Sequence, residues 1–555
     1  MIITNFLERN AGLWADAPAL VELNPEKWES DGGWKEAELV VSDPFSGAYR
    51  REMTWKEFDD EANRIANLLI CKGCRKDDKI AILMMNSLEW LPIYFGILKA
   101  GCLAVPLNFR YASDEIAYCL DLADVVLLFF GAEFIDRLKP YAAADGSANI
   151  IVEGRTVPTL FIGAGECPGF SVSAAEEISA QLPSKPDLGY ALTEDDNAAI
   201  YFSSGTTGFP KAILHTHRAL TAACKAEQAH HAQTRDDVFL CIPPLYHTGA
   251  KMHWFGSLIS GSKGVILKGA RPTWIIDAAA NERASIVWLL VPWAQDILDA
   301  IDRGDIELAG KDLSRWRLMH IGAQPVPPSL IKRWKRQFPR HAYDTNYGLS
   351  ESIGPGCVHL GVDNVHKVGA IGKAGYLWEA KIVNDMRETV KRGEIGELAV
   401  RGDGVMKEYY KNPQATAEVL YDGWLITGDM AREDDDGFIF LVDRKKDVII
   451  TGGENLYPVQ IEDFLRGNDA IKDVAVIGLP DDRLGEIAAA IIELRPGAEC
   501  TESDITAFCA DLPRYKRPRK IIFAPVPRNP TGKIEKPKLR EIYAGGSVVE
   551  KQVNN

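Results

Sequence analysis

Between Thr54 and Phe130 the hydrophobic period of this chain switches back and forth between that of a helix and that of a strand. Thr54 to Lys72 carries apolar residues at helical spacing (Trp55, Phe58, Ala62, Ile65, Leu68 and Leu69), and the apolar run Lys79 to Leu83 reads as a strand. Ser87 to Ala100 then reads as a helix, Cys102 to Pro106 as a strand, Ala112 to Leu122 as a helix and Val125 to Phe130 as a strand. Such a rhythm requires a mostly parallel sheet with helices on both faces. A chain of 555 residues is also too long for one core, so two or more domains are expected.

Outside this stretch the pattern changes. Asn24 to Arg51 lacks periodicity and is rich in charge and glycine, which reads as a surface insertion with a hairpin through Glu38 to Val41. From Lys381 onward, short strands with turn signals (Ile382 to Asn384, Gly396 to Arg401) suit a small barrel or distorted sheet. After Asp447 a compact α+β unit follows: a helix near Val459 to Leu465, strands Asp473 to Gly478 and Ala488 to Leu494, and a helix starting at Thr501 with Asp504 placed to cap it.

Composition narrows the function classes. A net charge of −15 argues against general nucleic-acid affinity. The ten cysteines are scattered, and the lone Cys71–Cys74 pair has no second pair or nearby histidine to complete a zinc site, so structural thiols in a reducing compartment are expected. No secretory h-region opens the chain, and runs such as Val125 to Phe130 are too short to span a bilayer; a cytoplasmic location is expected.

The segment Tyr201-Phe202-Ser203-Ser204-Gly205-Thr206-Thr207-Gly208-Phe209-Pro210-Lys211 follows the buried-strand run Ala198 to Phe202. Its hydroxyls, free backbone N–H groups and lysine together make a cradle for phosphate oxygens. A Walker A loop is excluded, because Pro210 precedes Lys211 and Ala212 follows it. The segment resembles the phosphate-binding signature of the adenylate-forming superfamily: acyl-CoA synthetases, peptide-synthetase adenylation domains and beetle luciferases. The resemblance extends from about Phe6 to Tyr543, with the other signatures in order.

It implies an α/β fold with a small β-barrel. A large N-terminal domain of helix-flanked sheets (residues 1–445) would bind AMP and the acyl group, and a smaller, mobile α+β domain (446–555) would carry the catalytic lysine. Ser203, Ser204, Gly205, Thr206, Thr207, Gly208 and Lys211 would hold phosphates, and Gly322, Ala323 and Gln324 would lie along adenine. In Asn346-Tyr347-Gly348-Leu349-Ser350-Glu351 the ring of Tyr347 would stack on adenine, the Asn346 amide would read its amine, and Ser350 would reach a phosphate. Glu351 would be both a catalytic residue and the Mg²⁺ ligand. Asp429 would grip the ribose hydroxyls, with Arg444 contacting ribose or phosphate from the other side.

Lys533, in Pro530-Thr531-Gly532-Lys533, matches the catalytic lysine that bridges an attacking carboxylate and the α-phosphate of ATP. Lys446 falls at the hinge about which the C-terminal domain would turn. Gly452 and Gly453 would leave room for a pantetheine arm, and Tyr515 and Lys516 would flank it, with Arg514, Arg517, Arg519 and Lys520 near the phosphates of coenzyme A. The implied reaction is acid plus ATP to acyl-AMP and pyrophosphate, then acyl transfer to coenzyme A. Loading of a carrier protein is the alternative; only eight residues follow Gly545-Gly546-Ser547, too few for an appended carrier bundle. A non-catalytic member of the fold stands further off, since Lys533 and Glu351 are both retained; an oxygenase shares the adenylation step, so these motifs do not exclude it, and it stands further off only because it is rare among such chains. A small-molecule acid, ATP and coenzyme A would be the partners, in a monomer or a homodimer.

For the acid, the implied pocket comprises His247, Lys251, Trp254, Ala323, Gly348 and Gly354. Amino-acid-activating relatives place an Asp in the region of Pro243 to Gly249; here His247 is offered, as in acyl- and aryl-CoA ligases, where it counts among the catalytic residues. Gly348 stands where acetate-specific relatives have a Trp, which leaves space for a fatty or ring-bearing acid. Lys251 is a candidate reader of a second polar group on the substrate.

Overall fold

A computed structural model describes residues 1–30, 48–203, 210–322, 326–452, 454–528 and 534–544, with the backbone alone at 28–30, 251–253, 255 and 355. The expected alternation is present as helix Trp55–Cys71, strand Lys79–Leu83, helix Trp90–Lys99, strand Leu103–Pro106, helix Ser113–Leu122 and strand Val125–Gly131. Thr54 starts the first helix as an N-cap: its hydroxyl accepts from Glu57 N at 3.2 Å and its own N–H donates to the Glu57 carboxylate at 2.8 Å. That reciprocal pair satisfies two of the donors a helix start leaves open.

Two large sheets form around these units. In the first, Ala342–Asp344, Leu318–Gly322, Ile286–Leu290, Val238–Cys241, Lys263–Leu267 and Pro18–Leu23 run parallel, and Arg50–Thr54 closes the edge antiparallel. The second has Lys79–Leu83 at its centre, flanked by Leu103–Pro106 and Val125–Gly131, and reaches Asn197–Ser203 and Lys211–Thr216 toward one edge. Helices Trp55–Cys71, Trp90–Lys99, His217–His231 and Thr248–Ser260 contribute to one apolar core shared with strands of both sheets, among them Ile80, Phe129, Leu20 and Ile266. Every residue of Trp90–Lys99 is buried, as a helix between two layers requires. Further helices cover the outer faces, so the expectation of helices on both sides of a parallel sheet holds for both sheets.

Asn24 to Arg51 departs from its reading as an insertion. Pro25–Ser30 is helical, and Arg50 and Arg51 begin a strand paired with Pro18–Leu23; the hairpin expected at Glu38 to Val41 lies outside the described residues. Arg51 is buried between Glu22 (2.6 Å) and Glu89 (2.5 Å), so a segment whose charge suggested solvent ends in a desolvated ionic cluster.

Beyond Asp344 the expected small barrel takes an open form. Asn346–Leu349, Gly354–His359 and Lys373–Ala374 make a three-stranded sheet; Trp378–Val383, Gly396–Gly402, Trp424–Glu433, Leu420–Tyr421 and Ile439–Arg444 make a five-stranded one. A single bridge, Gly372 to Ile439, joins them in place of a continuous ladder. The chain then turns through Lys445–Asp447 into Ile449–Thr451, a strand of the last sheet, where Ile471–Asp481 and Gly485–Leu494 form a long antiparallel pair. Thr501 caps helix Glu502–Phe508 with Asp504, as expected. All ten cysteines are free thiols. Among the described residues no helix is long and apolar enough to cross a membrane.

Candidate active site

Strand ends and loops from the second large sheet, the three-stranded sheet and the five-stranded sheet open on one cleft. Ser203, Lys211, His247, Asn346, Tyr347, Gly348, Ser350, Glu351, Gly354, Asp429, Arg444 and Lys446 all line it, although the sequence scatters them over more than two hundred positions. Ser204, Gly205, Thr206, Thr207, Gly208, Ala323, Gln324, Gly453 and Lys533 lie outside the described residues. Lys251 falls within helix Thr248–Ser260, its side chain likewise outside them.

Asn346 begins a strand, and its side-chain N–H donates to the buried carboxylate of Glu227 at 2.8 Å. The amide oxygen faces Gly322: a Cβ at Gly322 would sit 3.8 Å from Asn346 Oδ1. Fixing the amide in this sense presents an acceptor, which is what an exocyclic amine needs. The Tyr347 hydroxyl donates to Asp429. Arg444, cross-strand from Asp429, pairs with the same carboxylate at 2.8 Å. Asp429 and Arg444 therefore hold each other, and a ribose hydroxyl reaching Asp429 must share the carboxylate with Arg444.

Glu351 sits in the short helical turn Ser350–Ser352, whose backbone is anchored by Met406 N donating to Glu351 O at 2.7 Å and by His215 Nε2 against Ser350 O at 2.8 Å. Its carboxylate accepts from the Tyr409 hydroxyl at 2.8 Å. Lys211 Nζ lies 4.7 Å from the centre of the Tyr409 ring, a cation–π distance. One tyrosine thus orients the predicted magnesium ligand and the predicted phosphate-binding lysine together. Nothing in the sequence around Tyr409 signalled this.

His247 caps helix Thr248–Ser260, its Nδ1 accepting from Gly249 N at 3.2 Å. In the neutral ring the proton then resides on Nε2. Tyr246, Trp288 and Tyr111 give the wall beside it an aromatic character. Trp254 does not belong to that wall. It is fully buried, packed against Phe58 and Phe95 with ring centroids 5.9 and 6.1 Å away. Two helical turns past the cap, Trp254 lies on nearly the same helix face but about 10 Å further along the axis, in the core and not in the cleft, so the pocket role expected of Trp254 is withdrawn.

On the far side, Lys446 lines the cleft from the turn that joins the last two sheets, and burial, with Arg444 and Arg540 nearby, lowers the ammonium from its ordinary value. Gly452, in a left-handed conformation (φ 56°), Tyr515 and Lys516 are not among the lining residues; Lys516 instead donates to Gln460 at 2.7 Å. The described conformation thus does not bring the expected pantetheine route to the cleft.

Asp443, beside this turn, accepts from Arg444 N at 2.7 Å and from Val459 N at 2.9 Å, tying the five-stranded sheet to the first turn of helix Pro458–Leu465. Burial pushes its carboxyl up to about 6, against the influence of Lys536 and these donors. A carboxyl raised in the folded state contributes most below about pH 4, where both states keep the proton. That contribution is lost as pH rises through about 6. Asp443→Asn cannot ionise, so its stability relative to wild type should improve between pH 4 and 6 by up to about 3 kcal/mol. Unfolding midpoints of both proteins across that range check this; parallel curves would contradict it.

The chain is similar to known proteins over most of its length. A family model described as AMP-binding enzyme matches residues 28–410, and one described as AMP-binding enzyme C-terminal domain matches residues 460–533. The chain is 33% identical over 523 residues to a long-chain-fatty-acid–CoA ligase, FadD13, of Mycobacterium tuberculosis, covering 92% of this chain and 98% of that one. It is 32% identical over 521 residues to a feruloyl-CoA synthase of an Amycolatopsis species, covering 92% and 99%. Among solved structures, a fatty acyl CoA synthetase of Mycobacterium tuberculosis superposes with a TM-score of 0.72 at 30% identity, covering 98% of each chain. An anthranilate CoA ligase in complex with anthranoyl-AMP superposes with a TM-score of 0.82 at 25% identity, covering 98% and 97%.

Proposed function

The chain belongs to the AMP-binding enzyme family, and from that premise we propose that it is an ATP-dependent carboxylate–CoA ligase acting on a medium- or long-chain fatty acid or an aryl acid. The observation that carries the reading is the convergence of Lys211, Asn346, Tyr347, Glu351, Asp429 and Arg444 on one cleft that also holds His247 and an aromatic wall. In the first half-reaction the acid's carboxylate attacks the α-phosphorus of ATP and pyrophosphate leaves. In the second, the thiol of coenzyme A attacks the acyl-adenylate carbonyl and AMP leaves.

Each group has a task. Asn346 presents its amide oxygen to adenine, and Asp429 with Arg444 engages the ribose. Lys211 and the segment Ser204 to Gly208 hold phosphate oxygens, and Lys533 bridges the two anions that must meet. Glu351, a hard oxygen donor oriented by Tyr409, is the residue that would hold Mg²⁺, which neutralises triphosphate charge when bound. The same reading sets the enzyme in a reducing cytoplasm, where ten free thiols persist.

The test is a panel of straight-chain, aromatic and dicarboxylic acids, scored for acid-dependent pyrophosphate release and then for CoA-dependent thioester. Absence of pyrophosphate release with every acid would end the proposal. Release without thioester, restored by a carrier protein, would favour the carrier-loading alternative. The same panel run on Lys251→Ala reports on its role: an unchanged order of preference would dismiss it as a substrate reader.

Two substitutions probe the assignment further. Gly348 lines the cleft, and Gly348→Trp should shift the preference toward the shortest acids; an unaltered chain-length profile would remove Gly348 from the pocket. We also place the domain boundary at residues 445–446, so that Lys446 is the hinge. Lys446→Pro should keep the adenylation half-reaction and lose overall turnover. Equal loss in both halves would refute the hinge.

A further inference from the structure

We propose that Asn86 is a positioning residue: its side-chain amide clamps the segment Pro243 to His247 and so sets the aromatic wall and His247 against the acid. The role in acid binding deepens the ligase reading and rests on it; the clamp itself does not. Asn86 lies just beyond the carboxyl end of strand Lys79–Leu83, in the second large sheet, and Pro243 just beyond the carboxyl end of Val238–Cys241, in the first. In open α/β sheets, ligands bind outside the carboxyl ends of the strands. One side chain ties the two sheets together at that end.

The amide makes two buried bonds: its Nδ2 donates to Pro243 O at 2.9 Å, and its Oδ1 accepts from Leu245 N at 2.7 Å. A carbonyl can only accept and an N–H only donate, so the amide has one orientation here. The composition of the segment explains the need for it. Pro243 and Pro244 offer carbonyls but no N–H, so this stretch cannot zip onto a neighbouring strand. Its buried polar groups must then be satisfied from outside. Pro243 O otherwise meets the Cys241 thiol at 3.9 Å, a weak donor. Asparagine carries a donor and an acceptor on one short planar group, and can stand in for a missing peptide.

What the clamp holds is the wall of the site. Pro244 O accepts from His247 N at 3.0 Å, closing a turn that contains Leu245. Leu245 is anchored in the core at 1% exposure, whereas Tyr246 and His247 line the cleft. Tyr246 meets Phe109 edge-on, with ring centroids 5.2 Å apart. On the other flank, a Cβ at Gly249 would lie 3.0 Å from the Trp288 ring and 3.3 Å from His247 Nδ1, so the wall is packed on both sides. The support behind Asn86 is equally fixed: Leu88 N donates to the buried Glu22 carboxylate at 2.7 Å, and Glu89 pairs with Arg51 at 2.5 Å. The Asn86 amide is the joint between that braced loop and the wall.

The test compares full-length wild type with Asn86→Ala and Asn86→Asp, the second keeping the shape and an acceptor but losing the donor to Pro243 O. In both variants KM for a ring- or chain-bearing acid should rise by about ten-fold or more, with KM for ATP changed by less than about twofold. A fall in kcat alone, equal for all acids, would mark Asn86 as merely structural and overturn the role.

Hydrogen exchange reads the clamp without any substrate. The Leu245 amide should be protected in wild type and should exchange about ten-fold faster or more in folded Asn86→Ala protein. An unprotected Leu245 amide in wild type, or unchanged protection in the variant, would overturn the clamp; if neither variant folds, the wild-type amide settles it. Pyrophosphate release is scored separately. No release from wild type with any acid removes the ligase reading and the acid role with it, and leaves the clamp to hydrogen exchange. Release with an unchanged acid KM in both variants removes the positioning role alone.

Discussion

Lys533→Ala protein is expected to form acyl-adenylate about two to three decades more slowly than wild type, while supplied acyl-adenylate and coenzyme A are still converted to thioester at close to the wild-type rate. The physical reason is a clash of like charges. A carboxylate must approach a phosphorus surrounded by anionic oxygens, and charge then builds on the pentavalent centre. An ammonium placed between them acts chiefly in that transition state, so its loss removes about 3–4 kcal/mol there with little effect on ground-state binding. The thioester step needs no second anion at phosphorus and is spared. Single-turnover measurements of both halves separate the cases. A variant that slows thioester formation from supplied adenylate as much as adenylation would show that Lys533 serves the fold or both steps.

Arg51→Ala should destabilise the large N-terminal unit by about 3 kcal/mol or more. Arg51 is the shared partner of Glu22 and Glu89, and its side chain is 8% exposed. Removing it leaves Glu22, 3% exposed, with Lys268 at 3.0 Å as its remaining described cation. The Glu22 carboxylate also accepts from Leu88 N at 2.7 Å, so it cannot turn away without breaking a second buried bond. The net value of the intact cluster is small, because desolvation offsets attraction; the loss on truncation is large because one charge is stranded. A thermal or urea transition of the N-terminal unit would record the drop, and double substitution with Glu89→Gln should recover part of it. A midpoint unchanged by Arg51→Ala would mean that solvent reaches the cluster.

These two residues also mark the two sides of what could be read before folding. Lys533 was singled out by its neighbours Thr531 and Gly532, since a catalytic lysine on a terminal segment needs a local signature to be placed. Arg51 sat in a stretch without periodicity, and its burial comes from pairing with a strand nearly thirty positions earlier. Trp254 failed in the opposite direction. Counted along the chain from His247 it belonged with the pocket, but two helical turns carry it about 10 Å along the axis, and there it meets Phe58 and Phe95. The open form of the expected barrel has the same origin, for strand periodicity says which residues pair locally and not whether the last strand meets the first.

What this chain's sequence determined was the set of chemical groups and their order: the strand–helix alternation, the phosphate segment, the Asn346 to Glu351 run, Asp429 and Lys533. These are legible because periodicity and short motifs are local properties of neighbouring residues. The tertiary structure alone decided which of those groups restrain one another: Asp429 held by Arg444 and Tyr347, Glu351 oriented by Tyr409, and Asn346 turned by Glu227. Such hydrogen-bonded pairings depend on sheet register and on which faces become buried together, and those are outcomes of packing the whole chain, carried by no single segment of it.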